Sequence, residues 1–203
     1  MSILNDRIVE AIAATGCYVG PSVIGAGLVV ALRGRLRIVQ ARRGLLAAQV
    51  GRGAKLSLAT RLRGDSIAWL DPDALDAAET QVMALIDSLR AALNEALYLG
   101  AMETECHYAC YPRGASYKTH LDRFGNHDLR VVSFVFYLNA RWQDDDGGEL
   151  VIHHPGGDPE RVLPRSGTMV AFLSDRFAHE VLPARKPRLS LTGWMRRRAL
   201  VGQ

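Results

Sequence analysis

Apolar residues change their spacing along this chain, and the change divides it in two. Over residues 3 to 14 (ILNDRIVEAIAA) they recur at helical spacing, which predicts a short N-terminal helix. The segment VIGAGLVVALRGRLRIV fits helix or strand equally, and residues 40 to 61, rich in Gly and Arg, read as a mobile stretch. Residues 71 to 98 carry the clearest helical signal. Asp71 is a candidate cap and Pro72 suits a first turn. Leu75, Ala78, Val82, Leu85, Ile86, Leu89, Leu93 and Leu97 then share one face, expected to pack against a sheet.

From Thr104 onward, short apolar or alternating runs (HYACY, RVVSFVFYL, ELVIHH, TMVAFL, RLSLTGWM) are separated by Gly, Pro, Asn and Asp. Their Val, Phe, Tyr and Thr content favours strands of an antiparallel sheet. The expected fold class is α+β, mainly β: a jelly roll (double-stranded β-helix) with supporting N-terminal helices. A chain of 203 residues suits one domain, spanning 1–203, with a helical and loop part over 1–98 and a β core over 99–198.

Composition narrows the function classes. No apolar run is long enough to span a membrane, and MSILNDRIVE lacks the apolar core of a secretory signal, so the expected setting is cytoplasmic. Cys17, Cys106 and Cys110 make no even disulfide framework. The last two are not spaced as a zinc knuckle and would share one strand face as small core residues. The net charge of +4 is uneven: no Asp or Glu occurs from Ala11 to Gly64, while Arg33, Arg35, Arg37, Arg42, Arg43, Arg52, Lys55, Arg61 and Arg63 accumulate. Such a field attracts acidic partners or nucleic acid. No aromatic residue is interleaved to stack on bases, so a solvated loop is the preferred reading and nucleic acid is not an expected partner.

The chemistry concentrates at His120, Asp122 and His179. Residues two apart on a strand point the same way, so His120 and Asp122 would converge on one point. Two histidines and one carboxylate occupy one face of an octahedral metal and leave positions open, the preference of non-haem Fe(II) oxygenases. Zinc is compatible with the ligand count, but His-Glu-x-x-His, the usual partner of zinc hydrolysis, is absent. Arg188 follows His179 by nine residues on a predicted strand. An arginine turned into a barrel needs an anion, and a carboxylate fits its fork best, which implies a carboxylate-bearing co-substrate beside the metal. Taken singly, His-x-Asp is common by chance, and His107, His127, His153 and His154 read as surface or satisfied core histidines.

The segments ACYPRGASYKTHLD (109–122), FVFYLNARWQDDDGGELVI (134–152) and FLSDRFAHEVLPARKPRLSLTGW (172–194), with LRGDSIAWL (62–70) upstream, resemble prolyl 4-hydroxylases, notably the hypoxia-type enzymes and their bacterial relatives. The resemblance implies that His120, Asp122 and His179 bind Fe(II). It implies that Arg188 binds the distal carboxylate of 2-oxoglutarate with the Tyr137 hydroxyl, and that Tyr111 and Thr192 lie beside the same pocket. Trp194 and Tyr117 resemble walls of the proline site, and Arg130 a substrate-contacting arginine, although the spacing after Asp122 is one residue longer here. Arg63 and Asp65 correspond to the base of a loop that closes over a protein substrate. The competing reading of Tyr111, Tyr117, Tyr137 and Trp194 is that of plain core aromatics.

The implied reaction takes 2-oxoglutarate and O2, hydroxylates a prolyl residue and releases succinate and CO2, with room for ascorbate as an accessory. Elongation factor Tu is a substrate associated with bacterial relatives, a hypoxia-inducible transcription factor with eukaryotic ones. Competing expectations are a hydroxylase of a free amino acid or other small molecule, a nucleic-acid demethylase of the same chemistry, and a metal-holding module that binds protein or nucleic acid without catalysis.

Overall fold

The structure is a computed structural model that describes residues 2–43, 45–47, 63–123 and 129–199. Arg52, Lys55, Arg61 and His127, and most of the stretch expected to be mobile, lie outside the described residues.

Three helices come from the first half of the chain. α1 (Ile3–Thr15) starts at Ser2, whose side chain accepts from the Asn5 amide, and stops at Gly16, held at φ 84°. α2 (Ala26–Arg43) settles the ambiguous segment as helix and runs into the expected loop. Two of its arginines are tied to the fold: Arg33 donates to the Leu138 carbonyl at 3.1 Å, and Arg35 donates to Glu79 at 3.1 Å.

α3 (Ala77–Leu97) begins later than expected. Asp71 does not cap it; its carboxylate accepts from the Asp73 amide and its carbonyl from Ala74, closing a separate turn that leaves Leu75 outside the helix. The cap is Asp76, which accepts from the Glu79 amide at 2.8 Å while Glu79 accepts from the Asp76 amide at 2.9 Å. This reciprocal box satisfies two helix-end N–H groups, which Asp71 could not do.

Among the described residues the strands, in chain order, are β1 (Cys17–Gly20), β2 (Leu46–Ala47), β3 (Ser66–Trp69), β4 (Glu103–Tyr111), β5 (Tyr117–His120), β6 (Arg130–Tyr137), β7 (Leu150–His153), β8 (Glu160–Val162), β9 (Met169–Leu173), β10 (Ala178–Val181) and β11 (Arg188–Arg196). They build a seven-stranded sheet in the order β1-β9-β6-β11-β4-β3-β2 and a four-stranded sheet in the order β5-β10-β7-β8. All the ladder pairs are antiparallel. The expected jelly roll with supporting helices is what forms.

Strand alternation assigns the two faces of the large sheet. Leu191 and Met195 of β11, Val132, Phe134 and Phe136 of β6, and Cys106 and Tyr108 of β4 pack with Ile86, Leu89 and Leu93 of α3. Cys110, half-buried, follows Cys106 on that face, as expected of small core residues. The opposite face carries Tyr111, Val135, Tyr137, Val170 and Phe172 against Leu150, Ile152 and Val181 of the small sheet. Gly193 permits this layering at the centre of β11: a Cβ there would lie 2.3 Å from the Glu105 carbonyl and 2.5 Å from the Phe134 ring. No helix among the described residues is long and apolar enough to cross a membrane.

Candidate metal centre

Between the sheets lies a pocket of about 550 Å3, open mouth included, lined by residues of both. At one end, His120, Asp122 and His179 bring one ligand atom each to within 4.8 Å of one another. His120 closes β5 and His179 lies in register with it on β10. Asp122 is not on the same strand as His120, as the His-x-Asp spacing suggested; β5 ends at His120, and Asp122 sits in the bend beyond it. The convergence survives because the bend returns the carboxylate: Oδ1 lies 3.7 Å from His120 Nε2 and Oδ2 lies 3.6 Å from His179 Nε2.

The backbone orients both rings. His120 Nδ1 lies 2.8 Å from the Lys118 carbonyl, and His179 Nδ1 lies 3.1 Å from the Phe177 carbonyl. A carbonyl can only accept, so each Nδ1 carries a proton and Nε2 is the ring atom turned towards the shared point. Burial, with His179 alongside, pushes the His120 pKa down to about 4, which keeps that imidazole neutral. Burial alone would raise the Asp122 pKa, but His179, His120 and the Ser133 hydroxyl outweigh it and hold the carboxyl ionised, below its usual range. Two imidazoles anchored through Nδ1 and an ionised carboxylate held by Ser133 fit a divalent iron ion.

Sequence reading missed the residues behind Asp122. Ser133 Oγ lies 2.7 Å from Asp122 Oδ2 and 2.9 Å from Ser174 Oγ, and both serines are buried.

Arg188 lies at the other end of the pocket and is 2% exposed. Its Nε donates to the Gly148 carbonyl at 2.9 Å, and its guanidinium lies between the Tyr111 and Tyr137 rings, at 5.1 and 4.9 Å from their centroids. Gly148 can present that carbonyl because it takes φ 73° in a place where a Cβ would stand 2.8 Å from Ala184 Cβ. Among the described residues no carboxylate pairs with Arg188. Tyr137 is fully buried and its hydroxyl makes no hydrogen bond of ordinary geometry among the described residues, although it stands beside the guanidinium. Burial, only partly opposed by Arg188, raises its pKa, so it stays a donor. A buried cation without an acidic partner and a buried O–H without a well-formed hydrogen bond are costly, and one carboxylate would satisfy both.

The remaining candidates surround the metal end. Tyr117 stacks on His120 at 3.7 Å and 17°, and the Arg63 guanidinium lies 4.9 Å from the Tyr117 ring. Arg63 is paired with the buried Asp65 at 2.6 Å, where the described chain resumes before β3. Arg130 lies over the Trp194 ring at 3.6 Å and donates to Glu105 at 3.0 Å. Thr192 reaches the pocket from β11, its hydroxyl 3.2 Å from that of Ser190.

Of the histidines read as unremarkable, His153 and His154 pair with Glu180 and Glu160. His107 differs: it is buried and neither nitrogen has a partner among the described residues, so it is not a satisfied core histidine.

Residues 106–196 match the model of the 2OG-Fe(II) oxygenase superfamily. Human Egl nine homolog 1 is 33% identical over 141 residues, which is 66% of this chain and 33% of that protein, so the chain spans about a third of its length. A crystal structure of a Pseudomonas putida prolyl-4-hydroxylase superposes with a TM-score of 0.85 at 42% identity, covering 96% of this chain and all of that one. A Trichoplax adhaerens prolyl hydroxylase, solved with a hypoxia inducible factor oxygen degradation domain peptide, superposes with a TM-score of 0.85 at 28% identity, over 98% and 93% of the two chains.

Proposed function

Because this chain belongs to the 2OG-Fe(II) oxygenase superfamily, within its prolyl 4-hydroxylase group, we propose that it is a dioxygenase that hydroxylates a prolyl residue of a protein. Elongation factor Tu is the first substrate to test. The observation that carries the reading is Arg188, a buried cation with no acidic partner among the described residues, in the same pocket as a two-histidine, one-carboxylate cluster. A metal alone would leave Arg188 unexplained; a metal with a dicarboxylate co-substrate accounts for both.

His120, Asp122 and His179 would hold Fe(II), the two imidazoles through Nε2 and Asp122 through a carboxylate that its neighbours keep ionised. Bound Fe(II) and 2-oxoglutarate would supply the oxidising chemistry, in which 2-oxoglutarate, O2 and a substrate C–H bond give succinate, CO2 and a C–OH group. Arg188 and Tyr137 grip the distal carboxylate, and Tyr111 packs against the guanidinium. The apolar walls Val135, Leu150 and Val181 exclude water from the same space. Trp194, Tyr117 and Arg130 border the metal end, where the target proline would enter, and Arg63 with Asp65 anchors the chain at that rim. Residues 1–203 act as one oxygenase unit, and the unpaired cysteines suit a cytoplasmic setting.

The test is succinate release by the Fe(II) protein with 2-oxoglutarate, with and without recombinant elongation factor Tu, run with and without ascorbate. Tryptic peptides are weighed for the gain of one oxygen atom. Succinate rising together with an oxidised proline peptide supports reaction and substrate. Succinate without that peptide keeps the oxygenase and discards the substrate, turning the search to other proteins and free amino acids. A protein that binds neither iron nor 2-oxoglutarate refutes the reading.

A further inference from the structure

One imidazole of the pocket has no task in that scheme. His107 lies in the middle of β4, in register with Thr192 of β11 on one side and Trp69 of β3 on the other. Strand alternation gives His107, Ala109 and Tyr111 to the pocket, while Tyr108 faces the helices. The Trp194 ring stacks on His107 at 5.3 Å and 29°, and the Trp69 ring packs at 4.8 Å. The two indoles therefore set the plane of the imidazole.

His107 is 1% exposed, and neither Nδ1 nor Nε2 has a hydrogen-bond partner among the described residues. Burial, reinforced by Arg63 and Arg130, pushes its pKa down to about 3, so the ring is neutral and carries one N–H and one lone pair. An apolar side chain would fill the same space without that cost. A buried donor and a buried acceptor left without partners call for a group that the described residues do not supply.

Position along the sheet says which part of a bound molecule that is. Along β11, Arg188 lies opposite Tyr111, Thr192 opposite His107, and Trp194 opposite Glu105. On the other flank Trp194 lies opposite Ser133, the serine bonded to Asp122. The pocket thus runs from Arg188 at one end to Asp122 at the other, and His107 stands towards the Asp122 end, four residues along β4 from Tyr111. We propose that His107 is a positioning residue of the co-substrate site, whose imidazole donates a hydrogen bond to the keto-acid end of 2-oxoglutarate. This inference rests on the oxygenase reading and adds to it a second polar anchor, opposite the Arg188 and Tyr137 grip.

The experiment is calorimetric titration of 2-oxoglutarate into the Mn(II)-loaded full chain, for the wild type, His107→Leu and His107→Gln. Mn(II) affinity and the thermal midpoint of ligand-free protein are measured alongside. The expected result is a loss of affinity for 2-oxoglutarate of roughly ten- to a hundredfold in His107→Leu. His107→Gln, which keeps an N–H donor, stays within about threefold of the wild type. Mn(II) affinity is unchanged, and the thermal midpoint of His107→Leu is equal to or above that of the wild type. Affinity in His107→Leu within twofold of wild type overturns the inference, as does an equal loss in both variants, which would make the effect one of packing. A wild-type chain that binds Mn(II) but no 2-oxoglutarate overturns the oxygenase reading itself, and this inference with it.

Discussion

The Ser133 hydroxyl donates to Asp122 Oδ2 at 2.7 Å, from the strand next to the one that carries Arg188. A carboxylate ligand held this way keeps its geometry before the metal arrives, and such outer partners typically account for ten- to a hundredfold in metal affinity. Ser133→Ala is therefore expected to weaken Fe(II) or Mn(II) binding by about tenfold or more while leaving the fold intact. Metal titration with a competing chelator reads the change. An unaltered affinity would mean that His120, Asp122 and His179 are fixed by their own backbone alone.

Arg188 and Tyr137 separate co-substrate binding from metal binding. Arg188→Met removes a buried charge that has no acidic partner among the described residues, so 2-oxoglutarate affinity should fall at least about a hundredfold with metal affinity unchanged. Tyr137→Phe removes a hydroxyl with no ordinary hydrogen bond among the described residues; its thermal midpoint should hold or rise, while 2-oxoglutarate affinity falls by about tenfold. Calorimetry on both variants checks this. A drop in the thermal midpoint of Tyr137→Phe would show that the hydroxyl serves the fold.

Which parts of this design were legible in the sequence follows from how far each signal reaches. The apolar face of α3 and the alternation of β4, β6 and β11 are local patterns, and they emerge as read. The start of α3 was misread because Asp71-Pro72 imitates a helix entry, whereas the decisive pairing of Asp76 with Glu79 lies five residues further on. β5 and β10 are four residues each, too short for periodicity, yet they carry His120 and His179; only the ligand types and the family resemblance pointed to them. Ser133 and His107 gave no signal. A serine inside RVVSFVFY does not announce an aspartate eleven residues before it, and the rings that enclose His107 come from two other strands.

His107 also makes a pH prediction. Its folded pKa of about 3 lies below the ordinary histidine value of about 6.5. Between the two, the unfolded chain binds a proton that the folded chain refuses, so stability rises with pH. The contribution is fully present above the unfolded pKa and is lost as pH falls, with a slope of at most about 1.4 kcal/mol per pH unit. The urea midpoint of metal-free wild type should fall more steeply between pH 6.5 and 4.5, values taken from that window, than that of His107→Leu. His120, also depressed, is common to both proteins and cancels. Parallel curves would mean that the folded ring reaches a partner or water.

Glu79 separates scaffold from site. Its side chain is buried and joins three elements: Oε2 accepts from the Asp76 amide of the α3 cap at 2.9 Å and from Arg35 of α2 at 3.1 Å, while Oε1 accepts from the Tyr108 hydroxyl of β4 at 3.2 Å. Tyr108 faces the helices, while the next residues along β4 on either side, His107 and Ala109, face the pocket. Glu79→Ala opens the cap and leaves both a buried phenol and a half-buried guanidinium without their carboxylate, which together should cost about 3 kcal/mol or more. The chain should therefore unfold at clearly lower urea, while the variant that remains folded binds Mn(II) and 2-oxoglutarate with wild-type affinity, because none of the groups that line the pocket is bonded to Glu79. Loss of affinity at a urea concentration where circular dichroism shows the fold intact would mean that α2 and α3 set the position of β4, and that the pocket depends on its helical backing as well as on its own lining.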